Sequence, residues 1–507
     1  MTMHSGREYE KGLRLSRAGR HADAIHCFER ALQREPHDSR VLFALGNTAR
    51  AIGLPNAAED FYRKVLVLEP ERIEPVVNLA NLLRTDGRFE DAASLLRPAL
   101  DRNPSSPELW VTLGSAMREM GDKASALAHY EEALALKPDY AAALANLADL
   151  KAQAGERDKA LGLYDRALAH DSHNAQARLN RSILHLEGGK LLEGWRDYAA
   201  RLKIPGKAPK CDHKLPRWSG NSLKHTRLLV TAEQGVGDEL MLASVLPDLA
   251  RRATDENGSI ILECEPRLFP LFVRSFPYVV ARAGEREMVD GALISRFGWL
   301  KSAGGANAAI EIGSLPRFLR SDFAQFTNPH AYLIPDAVEK AKWRTSFEKE
   351  GTAPFVGVSW RSGKLGGARS VQYAPLAAWA EFLRSLPGTI ICAQYDATAE
   401  EIAMIELASG RKIILPQQLD QKHELDRSCA MLSALDCVVS APTAVSWLAA
   451  GAGVPTFKIL YDTSWTAFGR DYEPFAPSCR VIMPKHAGDW LDVFNKATDQ
   501  INRLQRT

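Results

Sequence analysis

Residues 227–250 read RLLVTAEQGVGDELMLASVLPDLA, and this stretch decides the fold of the chain beyond its first two hundred residues. Leu228-Leu229-Val230 is short, apolar and β-prone, Gly235 and Gly237 permit a tight turn with close backbone approach, and residues 240–249 place apolar side chains at helical spacing. A strand, a glycine-containing turn and a helix in this order form the opening unit of a doubly wound α/β lobe. The crevice at the carboxyl ends of such strands binds ligands, and free N–H groups at the first helix start favour anionic ones. Asp238 stands at that helix start. Two roles are open to it: an N-cap accepting backbone N–H bonds, and a carboxylate that does chemistry.

Upstream, glycines fall at 19, 53, 87, 121, 155 and 189, each 34 residues after the last. The same register carries Ala24, Ala58, Ala92, Ala126 and Ala160, then Phe28, Tyr62, Leu96, Tyr130, Tyr164 and Tyr198, then Pro36, Pro70, Pro104 and Pro138. This is the tetratricopeptide pattern, a pair of antiparallel helices per repeat. Glycine serves the turn, alanine lets the helices approach, the aromatic fills the gap and proline ends the second helix. Five repeats begin near Ser5, Ser39, Ile73, Pro107 and Ala141, and a degenerate sixth, 175–203, is expected to cap the α-solenoid. Such solenoids hold peptides or protein segments in a concave groove. Arg50, Arg84 and Arg118 share one register, and Asn78, Asn146 and Asn180 share another. They are read as an acceptor groove in which asparagines bond an extended backbone and arginines prefer acidic or carbonyl-rich partners. The opposing reading is a solvated face without a ligand.

Composition narrows the classes of function. Net charge is +2, with 64 basic against 62 acidic residues, so no global field recruits nucleic acid or a membrane surface. Cysteines 27, 211, 264, 392, 429, 437 and 479 include no CxxC pair, which fits reduced thiols better than a disulfide frame or zinc site. The polar start MTMHSGREYE and the lack of a long apolar run predict a soluble, cytoplasmic protein without a membrane span.

Residues 204–226 interrupt all periodicity with prolines and glycines and are read as a linker after a solenoid of residues 1–203. The first Rossmann-like lobe then covers 227–330, ending at Asn328-Pro329-His330, with further strands expected at 259–264, 278–281 and 291–294. The second covers 331–507. It opens with PFVGVSW at 354–360, and its loop RSGKLGGARS at 361–370 offers Arg361, Lys364 and Arg369 among glycines, a composition suited to wrapping an anion. Strands are expected at 389–393, 412–415, 436–440 and 456–460, alternating with helices as in a parallel sheet. Thr443 starts a short helix and reads either as an N-cap or as part of a phosphate site, with Ser446 one turn on.

Pro216-Arg-Trp218-Ser-Gly220, Glu233-Gln-Gly-Val-Gly-Asp238, Val358-Ser-Trp360, Thr443-Ala-Val, Gly453-Val-Pro455, Trp465, Gly469-Arg470 and Pro477 follow one another in a familiar order. In them the chain resembles tetratricopeptide proteins whose C-terminal half is a GT-B glycosyltransferase with two facing Rossmann-like lobes. It is similar to lipopolysaccharide heptosyltransferases and, more distantly, to protein O-linked N-acetylglucosamine transferase. The resemblance implies a nucleotide-sugar co-substrate on the second lobe, an acceptor approaching from the first, and no metal or other cofactor. It also implies that Asp238 is the base, that Gly235, Gly237, Thr443 and one of Arg361, Lys364 and Arg369 serve the donor phosphates, and that Gln394 contacts the nucleotide.

Two departures stand out. Pro442 and Trp447 occupy positions where relatives carry an aspartate and a histidine, and Asp396 stands where a phosphate-binding lysine is expected. They imply a different donor, such as a cytidine-monophosphate-linked nonulosonic acid of the kind flagellin-modifying relatives use, or lost activity. The expected function is a cytoplasmic transfer of sugar to a protein held by the solenoid. The alternative is a non-catalytic interaction protein with a degenerate C-terminal half.

Overall fold

The computed structural model describes residues 3–206, 209–233, 235–289, 292–327, 331–363 and 371–504. Contacts divide the chain into two compact units, 1–177 and 178–507.

The first unit is an α-solenoid of paired helices. The first helices of the second to fifth pairs are Ser39–Ala51, Ile73–Thr85, Pro107–Glu119 and Ala141–Gln153, and the second helices are Pro55–Leu68, Phe89–Arg102, Lys123–Leu136 and Arg157–His170. They start where the period predicts. At Gly19, Gly53, Gly87, Gly121 and Gly155 φ lies between 75° and 88°, the left-handed turn that glycine adopts without strain. Ala24, Ala58, Ala92, Ala126 and Ala160 are fully buried, as are Phe28, Tyr62, Leu96 and Tyr130. The aromatic needs a gap opposite it. A Cβ on Gly46 would stand 2.7 Å from the Tyr62 ring, and one on Gly114 would stand 2.7 Å from Tyr130.

The division between units falls inside the helix Ala175–Glu187. The helix Leu191–Tyr198, the second of the sixth pair and the twelfth helix of the solenoid, falls by contacts in the unit that also holds the α/β part. Packing explains this. Trp195 is 2% exposed, makes edge contacts with Trp465, Phe468 and Phe475, and donates from Nε1 to the Arg320 carbonyl at 3.0 Å. Whereas a Cβ on the other turn glycines would meet open space, one on Gly189 would lie 3.3 Å from Phe323.

Fourteen strands follow among the described residues. They are β1 (Lys210–Cys211), β2 (Arg227–Thr231), β3 (Ser259–Cys264), β4 (Val280–Ala283), β5 (Glu285–Val289), β6 (Ala292–Arg296), β7 (Ala308–Glu311), β8 (Phe355–Ser359), β9 (Thr389–Cys392), β10 (Ile413–Ile414), β11 (Cys437–Ser440), β12 (Thr456–Ile459), β13 (Tyr472–Glu473) and β14 (Ala476–Ile482). A parallel sheet takes the order β4-β3-β2-β7, and a second takes β10-β9-β8-β11-β12-β14-β13, parallel except for β13. The strand expected at 291–294 emerges as β6, but it joins β1 and β5 in a separate small sheet. The expected linker is also built in: Trp218 donates its backbone N–H to the Ala309 carbonyl at 2.8 Å and is buried.

Both faces of the larger sheet are covered. Val356, Val358, Val439 and Phe457 pack on one side with Trp379 and Phe494, while Val438 and Cys479 meet Trp447 and Leu448 on the other. The smaller sheet carries helices on one face only, with Leu228, Val230 and Leu262 against Leu240 and Leu246. Its other face, Leu229, Ile261 and Ala309, is closed by Phe297 and Ala303 instead. No helix among the described residues is long and apolar enough to cross a membrane.

Candidate functional site

In each parallel sheet the chain order reverses at one place, between β2 and β7 in the smaller and between β8 and β11 in the larger. Connections leave in opposite directions there, so a crevice opens at the strands' carboxyl ends, the usual ligand position of open α/β sheets. The loops following β2, β8 and β11 meet at a single cleft of about 720 Å³, which Gly235, Gly237, Asp238, Ser362, Pro442 and Thr443 help to line. The helices Val236–Ala243 and Ala444–Gly451 start at its edge, where the first N–H groups of a helix lack partners four residues back; at the second start the Thr443 N–H donates to the Ala441 carbonyl at 2.7 Å and the Ser446 N–H to the Thr443 carbonyl at 3.2 Å.

Asp238 is the third residue of its helix, and the cap position belongs to Gly235. The N-cap alternative is thereby revised: the Asp238 carboxylate accepts the Gly235 backbone N–H, the reciprocal half of a capping box. Burial raises its pKa above the ordinary carboxylate value, against the Gly235 N–H and the Arg201 charge, which lower it. A carboxylate so raised is a better proton acceptor than a solvated one. Behind it, Glu233 is buried and accepts from Arg201 Nη2 and from the Gly313 N–H at 3.0 Å, so residues at the end of the helical segment and after β7 hold the loop in place.

Thr443 caps the helix Ala444–Gly451 without a side-chain bond to it, leaving its half-buried hydroxyl 3.4 Å from Ser440 Oγ. Ser446 does not reach the cleft; it is 1% exposed and donates to the Thr443 carbonyl at 2.7 Å. Gln394 is also removed from it. Its buried Oε1 accepts the backbone N–H groups of Trp360 and Arg361, both at 3.0 Å, and its amide donates to Asp396 at 2.6 Å, so its work is to shape the turn after β8.

The expectation for Arg361 as a phosphate ligand is corrected by its partners. The guanidinium donates to both Glu401 oxygens at 2.5 and 2.8 Å and to Asp396 at 2.9 Å, and these carboxylates raise its pKa. A cation already enclosed by two anions has little charge left for a third. Lys364 and Arg369 lie outside the described residues, as do Gln234 and Asn328-Pro329-His330.

Sequence reasoning missed Lys458. It lines the cleft from β12, its side chain is 4% exposed, and its ammonium pairs with the fully buried Glu473 and lies 4.7 Å from the Trp447 ring centre. The legible signal was a lysine inside the otherwise apolar strand TFKI. Among the described residues, no cluster of three or more His, Cys, Asp and Glu is placed to hold a metal ion.

Most of the residues proposed for the solenoid groove are engaged with side chains of the neighbouring repeat. Arg84 donates to both Glu119 oxygens at 2.7 and 2.8 Å, and Arg118 to Asp149 at 3.1 Å. Asn78 donates to Asn47 at 2.9 Å, and Asn146 to Ser115 at 3.3 Å. Each bond joins one repeat to the next. The paired arginines are thereby less suited to capturing acidic partners than unpaired ones. Arg50 is exposed and approaches the Tyr62 hydroxyl, while Asn180 belongs to the second unit.

Residues 38–173 and 145–209 each match a model of the tetratricopeptide repeat. Protein FlbA of Caulobacter vibrioides is 34% identical over 312 residues, 61% of this chain and 52% of FlbA, so the chain spans about half the length of that relative. Among solved structures, a thermophilic tetratricopeptide protein of Thermus thermophilus is 27% identical, with 36% of this chain and 99% of that one covered and a TM-score of 0.32. PilF of Pseudomonas aeruginosa is 22% identical, with 40% and 93% covered and a TM-score of 0.33. The N-terminal part of this chain is a solenoid of tetratricopeptide repeats, and an α/β region with parallel sheets follows it.

Proposed function

We propose that the α/β region is a GT-B glycosyltransferase that moves a sugar from a nucleotide-sugar to a protein held by the repeat solenoid. The observation that carries this reading is the meeting of the two sheet crevices at one cleft, with Asp238 on one wall and the start of the helix Ala444–Gly451 on the other. Asp238 takes the proton of an acceptor hydroxyl as its oxygen bonds to the anomeric carbon. The bond from that carbon to the donor phosphate oxygen breaks, and the electron pair leaves on the phosphate. Backbone N–H groups at the helix start and the Thr443 hydroxyl stabilise the developing charge. Flagellin is the acceptor class suggested by the resemblance.

The test incubates the full chain with nucleotide-sugars and acceptor proteins, flagellin among them, and reads intact mass. A one-sugar increment that Asp238→Asn lowers at least a hundredfold is expected, the span of a lost general base being about 10²–10⁴. Undiminished transfer by the variant removes Asp238 from the chemistry.

A second reading, an interaction protein with a non-catalytic α/β region, draws on Arg361, whose charge is taken by Glu401 and Asp396. Absence of transfer from every donor, together with a protein captured by the solenoid, favours it.

A further inference from the structure

Lys458 occupies a place where a lysine is costly unless it has a task. It sits in the middle of β12, between β11 and β14, on the sheet face covered by the helix Ala444–Gly451. Burying an ammonium requires a partner, and Glu473 provides one. The pair is nevertheless not sealed in the core. Lys458 lines the cleft together with Thr443, Ser464 and Thr466, and its ammonium, paired with Glu473, donates to Thr466 Oγ1 at 3.4 Å and lies 4.7 Å from the Trp447 ring centre. Of the described residues lining the cleft, it is the one lysine or arginine.

Glu473 is only half used. One carboxylate oxygen meets Lys458 and accepts from Thr466 Oγ1 at 2.9 Å, while Oε2 is buried without a hydrogen-bond partner. A charge pair kept purely for stability is best when every lone pair is satisfied. Here the carboxylate stays fully buried behind the lysine, and Lys458 is the partner that reaches the cleft lining, beside a helix start that favours an anion.

We infer that Lys458 is the cation of a phosphate-binding subsite in the cleft, held in reserve by Glu473 and completed by the hydroxyl of Thr443. An incoming phosphate takes the remaining donor capacity of the ammonium, and Glu473 stays as its counter-charge. Naming the phosphate as that of a nucleotide-sugar rests on the transferase reading; the subsite itself rests on the cavity and the buried pair.

The probe is inorganic pyrophosphate, titrated against the full chain and followed by ³¹P NMR. Wild type is expected to bind it saturably. The double variant Lys458→Met/Glu473→Gln should weaken binding at least about tenfold, one charge-assisted bond's worth. The double variant avoids a lone buried charge, and circular dichroism checks that it folds. Binding by the double variant within about twofold of wild type, or no saturable binding by wild type, overturns the subsite. Transfer activity whose donor KM is unchanged in the double variant also removes Lys458 while leaving the transferase reading intact. Lys458-dependent pyrophosphate binding without transfer from any donor supports the subsite and counts against the transferase alone.

Discussion

Gly237 and Ala444 lie against one another across the cleft, so close that a methyl group on Gly237 would stand 3.7 Å from the Ala444 Cα and 3.7 Å from Trp447 Cδ1. Two helix starts, one from each sheet, are thereby brought side by side. The distance admits a methyl group and nothing larger. Gly237→Ala should leave stability within about 1 kcal/mol, since alanine is the better helix former and the contact is ordinary. Gly237→Leu should force the helices apart at roughly 1–3 kcal/mol. Urea denaturation of the two variants distinguishes these outcomes.

Asn47 joins two repeats through one oxygen, which accepts from the Tyr62 hydroxyl at 2.8 Å and from Asn78 at 2.9 Å. Tyr62→Phe and Asn78→Ala should each destabilise the solenoid by about 1 kcal/mol. Because both donors share one acceptor, their effects should depart from additivity by about 0.5 kcal/mol or more, which a double-mutant cycle measures. Strict additivity would show that the network does not couple the repeats.

Two buried acids make stability depend on pH. Burial pushes Glu239 up to about 8 and Glu263 up to about 7, with Arg286 opposing both, from an ordinary value of 4.5. The folded chain therefore holds protons that the unfolded chain releases. This contribution is full below the unfolded value and is lost as pH rises through 7 and 8. A tenfold difference in proton affinity between the folded and unfolded chain corresponds to about 1.4 kcal/mol. Unfolding midpoints should fall from roughly pH 5 to pH 8. Glu263→Gln, which keeps an acceptor for the Ala232 N–H, should flatten that slope.

What the sequence revealed depended on whether the cause was local. The repeat is set by short-range demands, a left-handed turn at Gly53 or an aromatic at Tyr62, so the first-helix starts of the second to fifth pairs were legible. The strands Phe355–Ser359 and Cys437–Ser440 were legible because they are buried on both faces and therefore read as apolar runs. β7 was missed because Ala308-Ala309 has little strand propensity and is held by pairing to β2, eighty residues earlier in the chain. β14 was missed because Pro477 and a polar centre disguise it. The site was less legible for the same reason. Arg361 looked free because Glu401 lies 40 residues away in sequence, and Lys458 acquires meaning only beside Glu473. Asp238, Gly235, Gly237 and Thr443 could be read as cleft-lining positions because each sits at a strand-to-helix turn, which is a local pattern.

Thermal unfolding of the full chain against UDP, GDP, ADP, CMP and their nucleotide-sugars, run in parallel on Asp238→Asn, tests the donor site with the fewest intervening steps. A nucleotide at about 100 times its dissociation constant should add roughly 2.7 kcal/mol, a rise of several degrees. One nucleotide family is expected to produce this rise in both proteins, because Asp238 acts on the acceptor and not on the donor. No rise with any nucleotide in wild type would contradict the claim that the cleft is a donor site.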